Sequence, residues 1–179
     1  ALAEAQRNEP ALHLTAKGSP EDLAALTGGV RLPSGSVEAP GGAVEDLPGY
    51  ADGQWWGQDQ AAALPAKLLE AAPGETVLDL CAAPGGKTLQ LAATGALVTA
   101  LDRSAPRLER LKENLARTGL SAEVIVADAE AWDPGRTFDK ILLDAPCSAL
   151  GTLRRHPEGA WIKRSEEHTS ELQSRETIS

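Results

Sequence analysis

The sequence predicts an α/β fold built on an open parallel sheet, and three observations carry that prediction. Four apolar runs end at or beside an acid or turn: Val77–Cys81, Ala96–Leu101 before Asp102, Glu123–Ala127 before Asp128, and Phe138–Leu143 before Asp144. Near-continuous apolar runs of this length suit parallel strands buried on both faces. Segments of helical spacing lie between the first three runs, which calls for right-handed crossovers within one sheet. The first run also stops at Ala82-Ala83-Pro84-Gly85-Gly86, after which Lys87 and Thr88 open a helix. That is the strand, tight turn and helix start of a nucleotide-type fold.

From the N-terminus, Leu12, Leu14 and Ala16 alternate with His13 and Thr15, as in a half-buried strand. Ser19-Pro20-Glu21-Asp22 has the order of a helix start, with Ser19 as cap, Pro20 in the first position and acids in the first turn; Gly28-Gly29 ends that helix. Val30-Arg31-Leu32 and Ser36-Val37-Glu38 read as short strands. A β-α-β-β series over residues 1–47 forms a small α+β unit, open to an RNA-binding or a plain packing role. Residues 48–59 (PGYADGQWWGQD) form a turn-rich bridge. Its Trp55 and Trp56 suit stacking on bases or, as large and usually buried side chains, anchoring of a seam. Gln60 to Ala71 reads as a helix with Leu64, Leu68 and Leu69 on one face and Pro65 as a kink.

Lys87 to Ala93 is the first crossover helix. Ser104 to Thr118 is the clearest helix in the chain. Ser104 stands at its cap, Leu108, Leu111 and Leu115 line one face, and Gly119 stops it.

Composition narrows the setting. The 179 residues contain 17 Lys and Arg against 26 Asp and Glu, a net charge of −9. Phosphate contacts need Lys and Arg, so a nucleic-acid partner would have to meet a local basic surface. The two cysteines, Cys81 and Cys147, form no C-x-x-C, which argues against a zinc site and for a reducing, cytoplasmic setting. No apolar run reaches the roughly 18 residues of a membrane span, and no signal-peptide pattern opens the chain. With no methionine, Ala1 reads as an internal cut. Residues 164–179 (RSEEHTSELQSRETIS) have no hydrophobic period and resemble read-through of a sequencing adapter. Setting aside their two arginines and four glutamates leaves a net charge of −7.

The chemistry concentrates at the strand ends. Gly85-Gly86 lets backbone approach a ligand, and the free N–H groups of the new helix point into the same turn. The turn is not G-x-G-x-x-G, so the pyrophosphate fingerprint of a nicotinamide site is absent and a ligand without phosphates fits better. Asp102, Asp128 and Asp144 fall at the carboxyl ends of successive strands, where open α/β sheets bind ligands.

Two strings then point to a family. Asp79 to Thr88, D-L-C-A-A-P-G-G-K-T, and Asp144 to Ser148, D-A-P-C-S, resemble motifs of the RNA (cytosine-C5) methyltransferases, the Sun/NOL/NOP family. Gly151-Thr152 with Arg154-Arg155, and the aromatic before Gln58-Asp59, are similar too. The resemblance covers roughly Pro10 to Lys163. Its N-terminal part looks most like the bacterial members that act on 16S ribosomal RNA. It implies a Rossmann-like S-adenosylmethionine-dependent methyltransferase domain over residues 48–163, cut short at its C-terminus, after a partial RNA-binding-type segment over 1–47 and before a non-native tail over 164–179.

The resemblance also implies the site. S-adenosyl-L-methionine would lie on Cys81, Ala82, Ala83, Pro84, Gly85, Gly86 and Lys87. Asp102, 23 residues after Asp79, would take the ribose hydroxyls, since the spacing is close to the usual ~20. Asp128 would reach the adenine amino group. Asp144 would contact the cofactor edge and the flipped cytosine, with Lys87 orienting it. Carbon 5 of cytosine is a poor nucleophile until a thiolate adds to carbon 6, and the base must leave its stack for this. In the family two cysteines serve: Cys147 matches the one that assists release, and the nucleophile belongs to a later T-C-S motif not found before Lys163. The chain as it stands is therefore expected to bind cofactor without methylating RNA. DNA-type enzymes use a Pro-Cys nucleophile at about the place of Cys147, so that role stays open. Two further readings remain: a methyltransferase-like module that binds RNA or a partner without chemistry, and a methyltransferase acting on another atom.

Overall fold

The aspartate-ended runs do form one parallel sheet. The computed structural model describes residues 11–145; Cys147, Arg154, Arg155 and the 164–179 tail lie outside the described residues. The strands of this sheet are β5 (Thr76–Leu80), β6 (Leu97–Asp102), β7 (Glu123–Val126) and β8 (Lys140–Leu143). They lie in the order β7-β6-β5-β8, all parallel. The chain thus winds outward from β5 to β7, then returns to place β8 on the other side of β5. This reversal opens a crevice past the carboxyl ends of β5 and β8, the switch point where such sheets hold ligands.

Two helices fill the connections. α3 (Gly86–Ala93) joins β5 to β6, and α4 (Ala105–Thr118) joins β6 to β7. Leu108, Leu111 and Leu115 of α4 recur at helical spacing and are buried with Leu89 of α3 and Ala100 of β6. Each such leucine contributes about 1.5–3 kcal/mol by leaving water. Gly119 ends α4 in the left-handed conformation, as predicted. Ser104 differs from the expectation: its side chain makes no cap hydrogen bond, and its own N–H donates to Asp102 Oδ1 at 2.9 Å. The neighbouring aspartate has taken over the turn.

The N-terminal elements build a second sheet, antiparallel, in the order β2-β3-β1-β4. They are β1 (His13–Ala16), α1 (Pro20–Thr27), β2 (Val30–Arg31), β3 (Val37–Glu38) and β4 (Trp55–Gly57). α1 starts as read: the Ser19 hydroxyl accepts from Asp22 N–H at 3.1 Å, and Gly28 closes it with φ +69°. The bridge is more ordered than its turn residues suggested, because it contributes β4, paired with β1. Side chains alternate across a strand, so Trp55 and Trp56 face opposite ways. Trp55 packs with Leu14, Leu23 and Val37, whereas Trp56 packs with Leu89, Leu108 and Leu111. Both are buried, at 0% and 3% exposure, as side chains that anchor a seam, and Trp56 also lines the cavity described below. Their N–H groups donate to Pro48 O and Gln58 Oε1.

α2 (Gln60–Leu68) is shorter than predicted and turned the other way. Ala63 and Ala66 are its buried residues, while Leu68 is 80% exposed and Leu64 43%. Periodicity located the helix but the larger side chains misled: small alanines let α2 come close to α3 and Val77. Among the described residues no helix is long and apolar enough to cross a membrane.

Candidate functional site

The turn after β5 is pinned from two sides. Ala82 N–H donates to Leu101 O at 3.0 Å and Ala83 N–H to Asp102 Oδ2 at 3.1 Å. Arg107 of α4 donates to Ala83 O and lies 3.7 Å from Asp102. Cys81 carries φ +59°, a left-handed value that a non-glycine residue adopts only where its surroundings hold it there. The two glycines serve the protein first. Gly85 has φ +108°, and a Cβ on it would collide with the Leu111 side chain; a Cβ on Gly86 would stand 3.2 Å from Gln58 Cδ. The turn is therefore tight because α4 and the bridge press on it from behind.

In front of the turn lies a cavity of about 350 Å³, of small-ligand size. Cys81, Ala82, Ala83, Pro84, Gly85, Gly86, Lys87 and Asp144 all line it, so the structure brings together these residues singled out from the sequence. Lys87 Nζ meets Asp144 Oδ2 at 2.6 Å, a bridge across the switch point from α3 to the end of β8. Asp102 and Asp128 stand outside the lining. Asp102 is buried under the turn, with one backbone N–H on each carboxylate oxygen. Asp128 is exposed and folds back on its own backbone, accepting Glu130 N–H at 3.1 Å, the local role that aspartate fills in many turns.

Asp79 was read only as a point from which to measure spacing, yet it is the buried acid of the cavity wall. It is 1% exposed. Oδ2 accepts from Thr88 Oγ1 at 2.6 Å, and Oδ1 has no partner among the described residues. Burial pushes its carboxyl up to about 6, against the pull of the Thr88 hydroxyl and of Lys87. A charged group in an apolar run, on the strand that feeds the turn, was the available signal.

Gln58, Asn114 and Arg117 complete the wall. Gln58 is a hub: Oε1 accepts from Thr15 Oγ1 and Trp56 Nε1 at 3.0 Å each, and Nε2 donates to Gln90 Oε1 at 2.7 Å. Arg117 donates to Tyr50 O and Trp55 O, and its guanidinium sits 4.1 Å from the Tyr50 ring centroid. Both residues tie the bridge to the parallel sheet, a long-range role that local pattern does not announce.

The Cys81 thiol is pushed up, by burial first and then by Asp102. That suits a packing residue and not a nucleophile. No cluster of metal-ligating side chains occurs among the described residues.

Comparison with known proteins adds the following. A family model described as 16S rRNA methyltransferase RsmB/F matches residues 66–178. Ribosomal RNA small subunit methyltransferase B of Pseudomonas syringae pv. tomato is 54% identical over 121 residues, covering 64% of this chain and 27% of that protein. The protein of the same name from Vibrio vulnificus is 48% identical over 138 residues, covering 73% and 32%. The chain thus spans a third or less of the length of these curated relatives. Among solved structures, a methyltransferase homolog protein from Pyrococcus horikoshii superposes with a TM-score of 0.73 at 28% identity, over 86% of this chain and 56% of that one. NSun6 from Pyrococcus horikoshii with SFG gives 0.57 at 33% identity, over 64% and 33%.

Proposed function

We propose a function from one premise: this chain belongs to the 16S rRNA methyltransferase RsmB/F family. Its fold is the Rossmann-like one of S-adenosylmethionine-dependent methyltransferases. The function is methylation of cytosine carbon 5 in 16S ribosomal RNA with S-adenosylmethionine as donor, in the cytoplasm where that RNA is found. The observation that carries this reading is the crevice at the switch point, backed by a pinned Pro-Gly-Gly turn and walled by Asp79, Lys87 and Asp144.

S-adenosylmethionine supplies an electrophilic methyl group on a sulfonium. The residues present fit such a ligand. The cavity is of the right size, contains no phosphate-binding fingerprint, and has on its wall Asp79 Oδ1, which is without a partner among the described residues. Residues 81–87 would hold the cofactor by backbone, and Asp79 would offer an acceptor to its polar groups. Asp102 has one N–H on each oxygen. A carboxylate has about four acceptor sites, so each oxygen keeps room for one hydroxyl of a ribose diol. Asp128, free of the lining, would close on the adenine edge only from the rim. Lys87 holds Asp144 at the mouth, where the carboxylate would orient the incoming base. Cys147 follows three residues later, outside the described residues, and would assist expulsion of the attacking thiolate or, as in the DNA-type enzymes, itself attack carbon 6.

Titration of S-adenosylhomocysteine into the chain tests the cofactor half. Binding is expected, and Asp102→Ala should weaken it by about 1.5–3 kcal/mol, the scale of a charge-assisted hydrogen bond. Because Asp102 also holds Ala83 N–H, Asp102→Asn is the companion variant; undiminished binding by both would remove the ribose assignment. The carbon is tested separately, by digesting RNA methylated by the full-length protein and weighing the nucleosides. Cytosine methylated at carbon 5 is expected, and methyl on a ring nitrogen or a ribose would overturn it.

A further inference from the structure

The chain is acidic overall, with a net charge of −9, yet one helix flank is not. Arg107, Arg110, Asn114 and Arg117 follow one another along α4 at intervals of three, four and three, and Arg103 stands just before the helix, in the turn after β6. At 3.6 residues per turn the four helical positions fall within an arc of about 80°. The stripe runs beside the buried face of α4 formed by Leu108, Leu111 and Leu115. Its position on the molecule is settled by contacts. Arg107 touches the cofactor-type turn at Ala83 O; Asn114 and Arg117 line the cavity; and Arg117 reaches the bridge at Tyr50. The stripe therefore borders the crevice along one side.

The arginines differ in what they already hold. Elsewhere among the described residues each Lys or Arg side chain meets an acid or a backbone carbonyl. Examples are Arg31 with Glu21, Lys140 with Glu75 and Lys67 with Ser34 O. Arg107 and Arg117 likewise use their guanidiniums within the protein. Arg103 and Arg110 are exposed, and among the described residues neither side chain has a hydrogen-bond or ion-pair partner. Of the acids on the same helix, Glu109 is taken by Lys112 at 2.8 Å, and Glu113 stands one turn from Arg110, at the edge of the stripe.

We propose that this flank of α4, with the turn that leads into it, is where the phosphate backbone of the RNA strand runs, Arg110 on the helix and Arg103 in the turn each meeting a phosphate beside the crevice. The proposal rests on the RNA reading above and adds the surface. A guanidinium pairs with phosphate oxygens through two parallel N–H bonds. Backbone contacts of this kind position a strand without reading its sequence. Selection of the cytosine is then left to the crevice.

The test is the salt dependence of binding. A short fluorescein-labelled single-stranded RNA is titrated with the whole chain over a range of salt concentrations, using wild type, Arg103→Gln/Arg110→Gln and Arg110→Gln. Each phosphate contact on a single strand contributes about 0.7 to the slope of log affinity against log salt. The double variant should lose about 1.4 of that slope and bind about ten-fold more weakly at low salt. Arg110→Gln should lose half of the slope change and leave S-adenosylhomocysteine binding unchanged. Arg31→Gln removes the same charge elsewhere and should leave the slope alone. An equal loss in Arg31→Gln, or an unchanged slope in the double variant, would overturn the surface while leaving the RNA reading intact. A wild-type chain that binds S-adenosylhomocysteine but no RNA would overturn both.

Discussion

Gly53→Ala is expected to lower the melting temperature by about 6–12 °C, corresponding to about 3 kcal/mol for a domain of this size. Gly53 lies in the bridge with φ +66°, and an added Cβ would run into the Arg117 carbonyl oxygen and stand 2.6 Å from Thr118 Cα. Neither side can yield. α4 is fixed by Leu108 and Leu111 in the core, and the bridge is tied to α4 by Arg117 at Tyr50 O and Trp55 O. Two costs combine: about 1 kcal/mol for a side chain in the left-handed region, and about 1–3 kcal/mol for overpacking. Gly28→Ala separates them. Gly28 has φ +69° with open space around it, so its alanine variant should show the backbone cost alone. Equal losses in the two variants, read by thermal denaturation, would show that the close approach to α4 costs nothing.

Asp79 should impose a pH dependence on folding. Its carboxyl is raised from the ordinary 3.8 to about 6 by burial. A raised acid binds its proton more tightly in the folded state, so its contribution is fully present below pH 4 and is lost as pH rises through 6. The difference of roughly two units corresponds to about 3 kcal/mol. The half-buried Glu75 and the exposed Asp139 are shifted downward and act in the opposite sense. The informative quantity is therefore the difference between wild type and Asp79→Asn. Urea unfolding between pH 4 and pH 7 should show the variant gaining on wild type by about 3 kcal/mol as pH rises. A constant difference would mean that Asp79 stays charged in the folded protein.

Much of this site was legible because its parts are local. A strand, a Pro-Gly-Gly turn and a helix start occupy thirteen consecutive residues, Thr76 to Thr88, and strand ends carry their acids by position alone. What escaped depends on distance along the chain. The parts played by Gln58 and Arg117 in the cavity wall exist only after the bridge has folded onto α3 and α4. The buried face of α2 is made by Ala63 and Ala66, whose small size matters only when another helix is near. Asp79 was visible as an acid inside an apolar run, but its burial and open Oδ1 follow from β5 being central, flanked by β6 and β8. Asp102 does stand at a strand end, and there it holds Ala83 N–H, a contact that spacing does not reveal.

The paired indoles have a consequence for how the halves can be inherited or exchanged. Trp55 fills one core and Trp56 the other, and no backbone torsion can turn one without turning its neighbour. The dipeptide is thus a party wall, belonging to two rooms at once. A substitution that loosens the antiparallel sheet will tilt the wall that Trp56 and Gln58 present to the crevice. Swapping in a different N-terminal module would have to bring its own strand with the same alternation. Variation in the mouth of the crevice can therefore originate far from it, in residues such as Leu14 and Val37 that no ligand touches.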